Sequence, residues 1–469
     1  ARAQAIKEAL AAQAPAAPVV ALVYTHSHID HVGGAAAWVG GGAEIWATAG
    51  LQEHLLKQYQ VFLPVEAVRG SRQFGRGLTP EELPCSALGR NGDLAEAAKG
   101  GMLLPTKTFS GSQTLDFGGL EIQLVEAHGE THDQLMVWVP ADKTLVAGDN
   151  FYWAFPNLYT IRGTSPRPVN AWIESLDKMR RLAPEHLVPN HTIPLHGAEA
   201  IAQALTNYRD AIQWVRDSVV RGANAGLDVD TLAETIKLPP HLAGLPYTQE
   251  LYGQVDWSVR AIYSDNLGWF DGRADKLYPL PAAQAAAREV ELMGGAAKVL
   301  ALARQARQAG DARWAIHLLA KLGVSGLAGD QGAYNTELAG AYRDLAQGVA
   351  NTNGRAYLLV SARELGQGLP QRPRAAMEPA LVAGIPLGHI FQVMASRLKV
   401  EQALTAHESL AFVFPDEGRQ YVLTVRRGLC EVVEGRPLPG TPPALATITM
   451  DSQDFRKMAL ELETPLALW

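Results

Sequence analysis

The sequence predicts three folds in succession, α/β, then all-α, then a small α+β unit, and three observations carry the prediction. Short apolar, β-branched runs alternate with helix-like stretches over the first part of the chain. From Gly197 apolar residues recur at steps of three and four, with helical hairpins from Ala282 to about Gly366. Past a Pro-rich break at Leu369-Pro370-Gln371-Arg372-Pro373, strand-like runs return with a helix on either side. The expected domains are 1–240, 241–368 and 381–469, with 369–380 as a linker. A chain of 469 residues exceeds one ordinary core, which agrees with this division.

The first strand is Val19 to Tyr24. It runs into Thr25-His26-Ser27-His28-Ile29-Asp30-His31, where Gly33-Gly34 is expected to turn the backbone tightly. Ala43–Thr48 is the next strand and Leu51–Tyr59 a helix, and 64–106, rich in Gly and Pro, is expected to be a long loop walling a pocket. Strands follow at 106–110, 113–117 and 120–125, with a hairpin turn at Gly118-Gly119, and at 134–139 and 143–147. Ile201, Leu205, Tyr208, Ile212, Val215 and Val219 mark an amphipathic helix, and 227–235 and 249–263 continue as helices. The last unit has a helix near 387–398, strands at 409–414, 420–426, 429–434 and 444–450, and a helix from Ser452.

The chemistry lies at strand ends. His26, His28, Asp30 and His31 are four metal-ligand types within six residues, and no backbone-capping role needs that pattern. In an extended loop His26 and His28 face one side while Asp30 and His31 reach a second position, which suits two ions side by side. Three later strand ends carry candidates: Glu130 in Ala127-His128-Gly129-Glu130-Thr131-His132, Asp149 after Gly148, and His191 after Leu187-Val188-Pro189-Asn190. His128, His132 and His196 compete for the same roles.

Bulk properties exclude several classes. A net charge of −7 argues against a nucleic-acid backbone as the main partner, and no apolar run approaches the roughly 20 residues of a membrane span. Cys85 and Cys430 form no disulfide scaffold or metal pattern. The Ala-rich stretch 1–17 lacks the apolar core of a leader.

The Thr-His-Ser-His-Ile-Asp-His motif looks like the metal signature of the metallo-β-lactamase superfamily. Together with the Glu130–Asp149 pair, Asn157-Leu158-Tyr159-Thr160-Ile161-Arg162-Gly163 and Leu267-Gly268-Trp269-Phe270-Asp271-Gly272, the chain resembles the bacterial alkyl sulfatases of that superfamily over nearly its whole length. The resemblance implies a metallo-β-lactamase αββα sandwich, a helical dimerisation domain and a sterol-carrier-like C-terminal domain. It implies two zinc ions per chain, one on His26, His28 and Glu130, the other on Asp30, His31 and His191, with Asp149 bridging. Asp30 and Asp149 are the catalytic carboxylates of that scheme, and Asn157 and Arg162 hold the sulfate. The reaction implied is hydrolysis of alkyl or aryl sulfate esters by a metal-bound hydroxide, in a homodimer located in the periplasm or secreted.

The sequence also departs from the family. Asp149 stands where glutamate is common. Ser71-Arg72-Gln73-Phe74-Gly75 replaces an aromatic Ser-Tyr-x-Tyr-Gly stretch of the sulfate pocket, and Phe151-Tyr152-Trp153-Ala154-Phe155-Pro156 is more aromatic than usual, which suggests a bulkier or aromatic ester. Only 25 residues precede His26 where the family has more than a hundred, so a missing segment or a separate N-terminal chain is expected to complete the sandwich. Two rival functions remain: a hydrolase of phosphate, carboxylic or lactone esters on the same scaffold, and a dimeric lipid-binding protein with a vestigial metal site.

Overall fold

The computed structural model describes residues 2–13, 17–40, 42–58, 62–89, 101–368 and 382–459. The chain divides into two compact units, one made of 1–63, 97–108 and 374–469, the other of 64–96 and 109–373. The expected linker at 369–380 lies outside the described residues.

The first unit opens with α1 (Arg2–Ala11) and β1 (Ala21–Val23), followed by α2 (Ile29–Val32), β2 (Glu44–Thr48) and α3 (Leu51–Gln58). β1 pairs in parallel with β2, with Leu22 opposite Ile45, and β3 (Lys107–Phe109) completes a sheet of order β1-β2-β3. Tyr24, Val32, Ala35, Ile45, Ala47, Leu51, Leu55 and Met102 form one buried cluster, which fixes where β1 ends and the histidine segment begins. Tyr24 donates its hydroxyl to the Leu103 carbonyl (2.8 Å), and burial pushes its phenol up to about 12. The backbone turns at Gly33 and Gly34 as expected, with negative φ at both (−69° and −103°). They are small because a Cβ would lie 2.6 Å from the Ile29 carbonyl at one position and 2.8 Å from Ala3 Cβ at the other.

In the second unit, α4 (Leu63–Gln73) replaces the first part of the expected long loop. Pro64 sits in its first turn, where a backbone N–H has no intrahelical acceptor to lose, so this proline starts a helix rather than breaking one. Residues 90–100 of that loop lie outside the described residues. Next come β4 (Ser112–Phe117), β5 (Leu120–Glu126), β6 (Leu135–Val139), β7 (Thr144–Gly148), α5 (Val169–Arg181), β8 (His186–Pro189) and β9 (Leu195–His196). They form a sheet in chain order, antiparallel throughout except for the parallel pair β7–β8, which α5 connects. β5, β7 and β8 therefore all point the same way, and the segments that follow them leave one edge of the sheet.

α6 (Ala198–Asn224) is the predicted amphipathic helix, extended to 27 residues. Its Ile201, Leu205, Tyr208, Ile212, Val215 and Val219 are buried in one core with Trp172 and Leu176 of α5 and with Met136, Trp138, Leu145 and Leu187 of the sheet. α7 (Val229–Thr235) and α8 (Pro240–Ala243) lead to α9 (Val255–Leu267), which starts six residues later than the periodicity suggests. Residues 249–253 pair instead with the loop at Phe155: Phe155 N–H donates to the Gln249 carbonyl (2.7 Å) and Gly253 N–H to the Phe155 carbonyl (3.1 Å). α10 (Ala282–Leu292), α11 (Ala296–Gln308), α12 (Ala312–Ser325), α13 (Gln331–Gln347) and α14 (Thr352–Gln367) are the expected helical hairpins, with their own core around Val299, Leu318, Leu322 and Leu338.

The rest of the first unit holds α15 (Leu387–Ser396), α16 (Val400–Ala403), β10 (His407–Phe414), β11 (Arg419–Arg426), β12 (Leu429–Glu434), β13 (Ala444–Thr449) and α17 (Ser452–Ala459). The sheet order is β12-β11-β10-β13, and Phe391, Phe412, Phe414, Tyr421 and Phe455 pack between it and the helices, in agreement with the α+β expectation. No helix of the described residues is long and apolar enough to cross a membrane.

Candidate active site

In the first unit the motif follows β1 and enters α2. His26 is fully buried, and its Nε2 lies 3.0 Å from His28 Nδ1. That spacing is close to what two nitrogens span as neighbouring ligands of one ion. Thr25 Oγ1 is 3.1 Å from His26 Nδ1, so a hydroxyl orients the imidazole from behind. Asp30 and His31 occupy α2, with His31 Nε2 3.4 Å from Asp30 Oδ2, and the His31 ring lies tilted against that of His26, centroids 4.1 Å apart. His26 and His28 thus lie before the helix, and Asp30 and His31 within it.

In the second unit Glu130 follows β5, Asp149 follows β7 and His191 follows β8, at the common edge of the sheet. His191 Nε2 is 3.4 Å from Asp149 Oδ2, and both carboxylates are almost fully buried. Burial pushes the Glu130 carboxyl up to about 7; Arg167 and Arg162 pull it back, and Asp149 adds to the rise. Carboxylates and an imidazole gathered this way are donor types that divalent metal ions take, and Glu130 is already paired with Arg167.

The competing histidines have these neighbours. His128 lies 3.9 Å from Glu126, His132 Nε2 is 2.9 Å from the Pro166 carbonyl, and the Nδ1 atoms of His196 and His186 are 2.9 Å apart across β8–β9.

Sequence reasoning missed Asn150, which staples the Glu130 loop to the Asp149 loop. Its Oδ1 accepts the Glu130 N–H (3.0 Å), its Nδ2 donates to the Ala127 carbonyl (2.6 Å), and its own carbonyl accepts from Trp172 Nε1 (3.0 Å). Gly129 makes this fit possible, because a Cβ there would stand 2.2 Å from Asn150 Oδ1 and 2.8 Å from Trp172 Cγ. Gly129→Ala is therefore expected to cost about 1–3 kcal/mol through overpacking. It should also displace Glu130, so thermal melts and sulfate release measured on one sample should fall together.

Asn157 and Arg162 lie on the loop between β7 and α5. Asn157 is 1% exposed, its N–H donates to Tyr152 Oη (2.6 Å), and neither side-chain amide atom has a hydrogen-bond partner among the described residues. An unsatisfied buried amide is costly and is explained by a ligand it is built to meet. Arg162 is held from two directions: its N–H donates to Gln73 Oε1 (2.8 Å), and its Nη1 to Thr160 Oγ1 (3.1 Å), which in turn donates to Gln73 Oε1 (3.0 Å). Gln73, at the last position of α4, is thus part of the Arg162 support; its Nε2 is buried without a partner among the described residues.

Arg72 pairs with Glu364 (2.8 Å) and lies over the Tyr357 ring of α14. The aromatic run is core rather than pocket lining: Phe151 packs on Tyr208 and Tyr247, Tyr152 on Tyr208 and Tyr252, and Phe155 is fully buried. Its aromaticity matches the tyrosines that surround it and gives no support for an aryl substrate.

Residues 2–191 match the metallo-beta-lactamase superfamily, 228–368 the alkyl sulfatase dimerisation family and 375–468 the alkyl sulfatase C-terminal family. Over 439 residues the chain is 35% identical to a linear primary-alkylsulfatase from a Pseudomonas species, covering 89% of this chain and 82% of that protein. The chain belongs to the alkyl sulfatase family of the metallo-β-lactamase superfamily. Membership makes it a sulfuric ester hydrolase. A second linear primary-alkylsulfatase from Pseudomonas is 29% identical over 462 residues, covering 96% of this chain and 68% of that protein. The solved structure of the stereoselective inverting sec-alkylsulfatase Pisa1 from Pseudomonas matches with a TM-score of 0.84 and 27% identity, over 99% of this chain and 74% of that one.

Proposed function

We propose that this chain is a zinc-dependent alkyl sulfatase that holds two ions per chain. His26, His28 and Glu130 would hold one ion and Asp30, His31 and His191 the other, with Asp149 serving both. The observation that carries the substrate reading is the Asn157–Arg162 loop: a buried, unsatisfied amide and a guanidinium supported by Gln73 and Thr160. A sulfate oxygen accepts from both groups, and the planar guanidinium donates two parallel bonds to an oxyanion.

Zinc, when bound, supplies positive charge that acidifies water toward neutral pH and offsets the charge of the sulfate group. The chain's own residues do the rest. Asn157 and Arg162 would orient the sulfate, Asn150 holds the Glu130 loop in place, and Asp149 would accept a proton from attacking water. Family membership in the dimerisation domain supports a homodimer. Alkyl sulfates are favoured over aryl sulfates, since the aromatic run that pointed to an aryl group is core.

The test is a substrate panel run on the zinc-loaded protein: dodecyl sulfate, an aryl sulfate, dodecyl phosphate and a carboxylic ester. Sulfate release from dodecyl sulfate as the fastest reaction supports the proposal. A faster phosphate or carboxylic ester reaction would assign the site to another hydrolase.

A further inference from the structure

Arg167 is the most deeply buried guanidinium near the site, its side chain only 3% exposed, and no local motif of the sequence singles it out. It precedes Pro168, the residue that caps α5, so its backbone is anchored at the start of a helix whose Trp172 and Leu176 are core. The Nη1 group carries two hydrogens, and both are used: one donates to the Glu130 carboxylate at Oε2, the other to the main-chain carbonyl of Asn157. Glu130 belongs to the loop after β5 and Asn157 to the loop after β7, and Arg167 belongs to neither.

Fold stability alone does not account for this arrangement. Taking a guanidinium out of water is expensive, and replacing a buried ion pair with packed apolar groups is often neutral or stabilising. Trp172 and Asn150 already staple the same two loops by uncharged hydrogen bonds. What Arg167 adds is direction. By holding Oε2 it would set how the Glu130 carboxylate is presented to an ion, as partners behind a ligating carboxylate do. By fixing the Asn157 carbonyl with the same nitrogen, it sets the distance between that ligand and the amide that meets the sulfate.

We propose that Arg167 is a positioning residue that sets zinc affinity and sulfate registration together. The proposal rests on the reading of Glu130 as a zinc ligand. It deepens that reading by naming a charged group that couples the metal side of the site to its anion side. Lysine at this position keeps the charge but lacks the planar fork, and methionine keeps comparable bulk with neither.

The experiment uses the full chain as wild type, Arg167→Lys and Arg167→Met. Zinc retained per chain is measured during dialysis against a graded chelator, and KM and kcat for dodecyl sulfate are measured at saturating zinc. Thermal melts of the metal-free proteins report the fold. The expected result for Arg167→Met is a fall of about 10–100-fold in affinity for one zinc, with the other retained as in wild type. Its KM should also rise even when zinc is saturating, and Arg167→Lys should recover part of both losses. A folded Arg167→Met protein with wild-type zinc affinity and KM would reduce Arg167 to a structural staple and overturn the inference alone. If Arg167→Met does not fold, Arg167→Lys decides by the same two readouts. A wild-type protein that takes up no zinc overturns the ligand reading, and this inference with it.

Discussion

Asp149→Ala is expected to abolish measurable sulfate release and to leave the purified protein with less than its full zinc. Asp149 follows β7 with its carboxylate almost fully buried and 3.4 Å from His191, so its removal takes away a buried counter-charge. Losing several kcal/mol of electrostatic stabilisation slows the reaction by about a thousandfold or more. Asp149→Glu should keep most of the zinc and a measurable rate, because the longer carboxylate keeps the donor set. Activity assays and metal analysis of the same preparations check this. An Asp149→Ala protein with undiminished sulfate release would remove Asp149 from the site.

Arg162→Ala should collapse sulfatase activity in a second and distinguishable way. Arg162 is secured through its own N–H on Gln73 and its guanidinium on Thr160, so the side chain is pre-aimed rather than recruited. Removing one such donor from a preorganised oxyanion site costs about 10²–10³ in rate, or ~2.7–4 kcal/mol. Zinc content should be unaffected, which separates this variant from Asp149→Ala. Arg162→Lys should recover little, since an ammonium cannot reproduce the paired hydrogen bonds. A hydrolase of neutral esters would lose little in either variant, so kcat/KM for dodecyl sulfate beside a carboxylic ester decides between the readings.

Much of this site was legible because its pieces are local. His26, His28, Asp30 and His31 lie within six residues, and a strand followed by a glycine pair marks where they leave the sheet. Glu130, Asp149 and His191 were legible as strand ends, and the shared direction of β5, β7 and β8 is what brings their loops to one edge. Arg167, Asn150 and Gln73 were not legible, because their roles consist of contacts with residues 10 to 89 positions away. A sequence window shows residue types and spacing but not tertiary partners. The aromatic run 151–156 misled for a related reason: apolar composition is the same whether a side chain lines a pocket or fills a core, and only Tyr208, Tyr247 and Tyr252 decide it. At α4, the early proline marked a helix start, yet Pro and Gly together read as a loop.

The central claim is that activity follows zinc held by this ligand set. The most direct measurement strips the wild-type protein with chelator, adds zinc back in steps, and reads zinc bound per chain and sulfate released from dodecyl sulfate at each step. No activity is expected without metal, and the rate should rise and level off as about two zinc ions per chain are bound. Full sulfate release from the stripped protein, or zinc uptake with no return of activity, would contradict it.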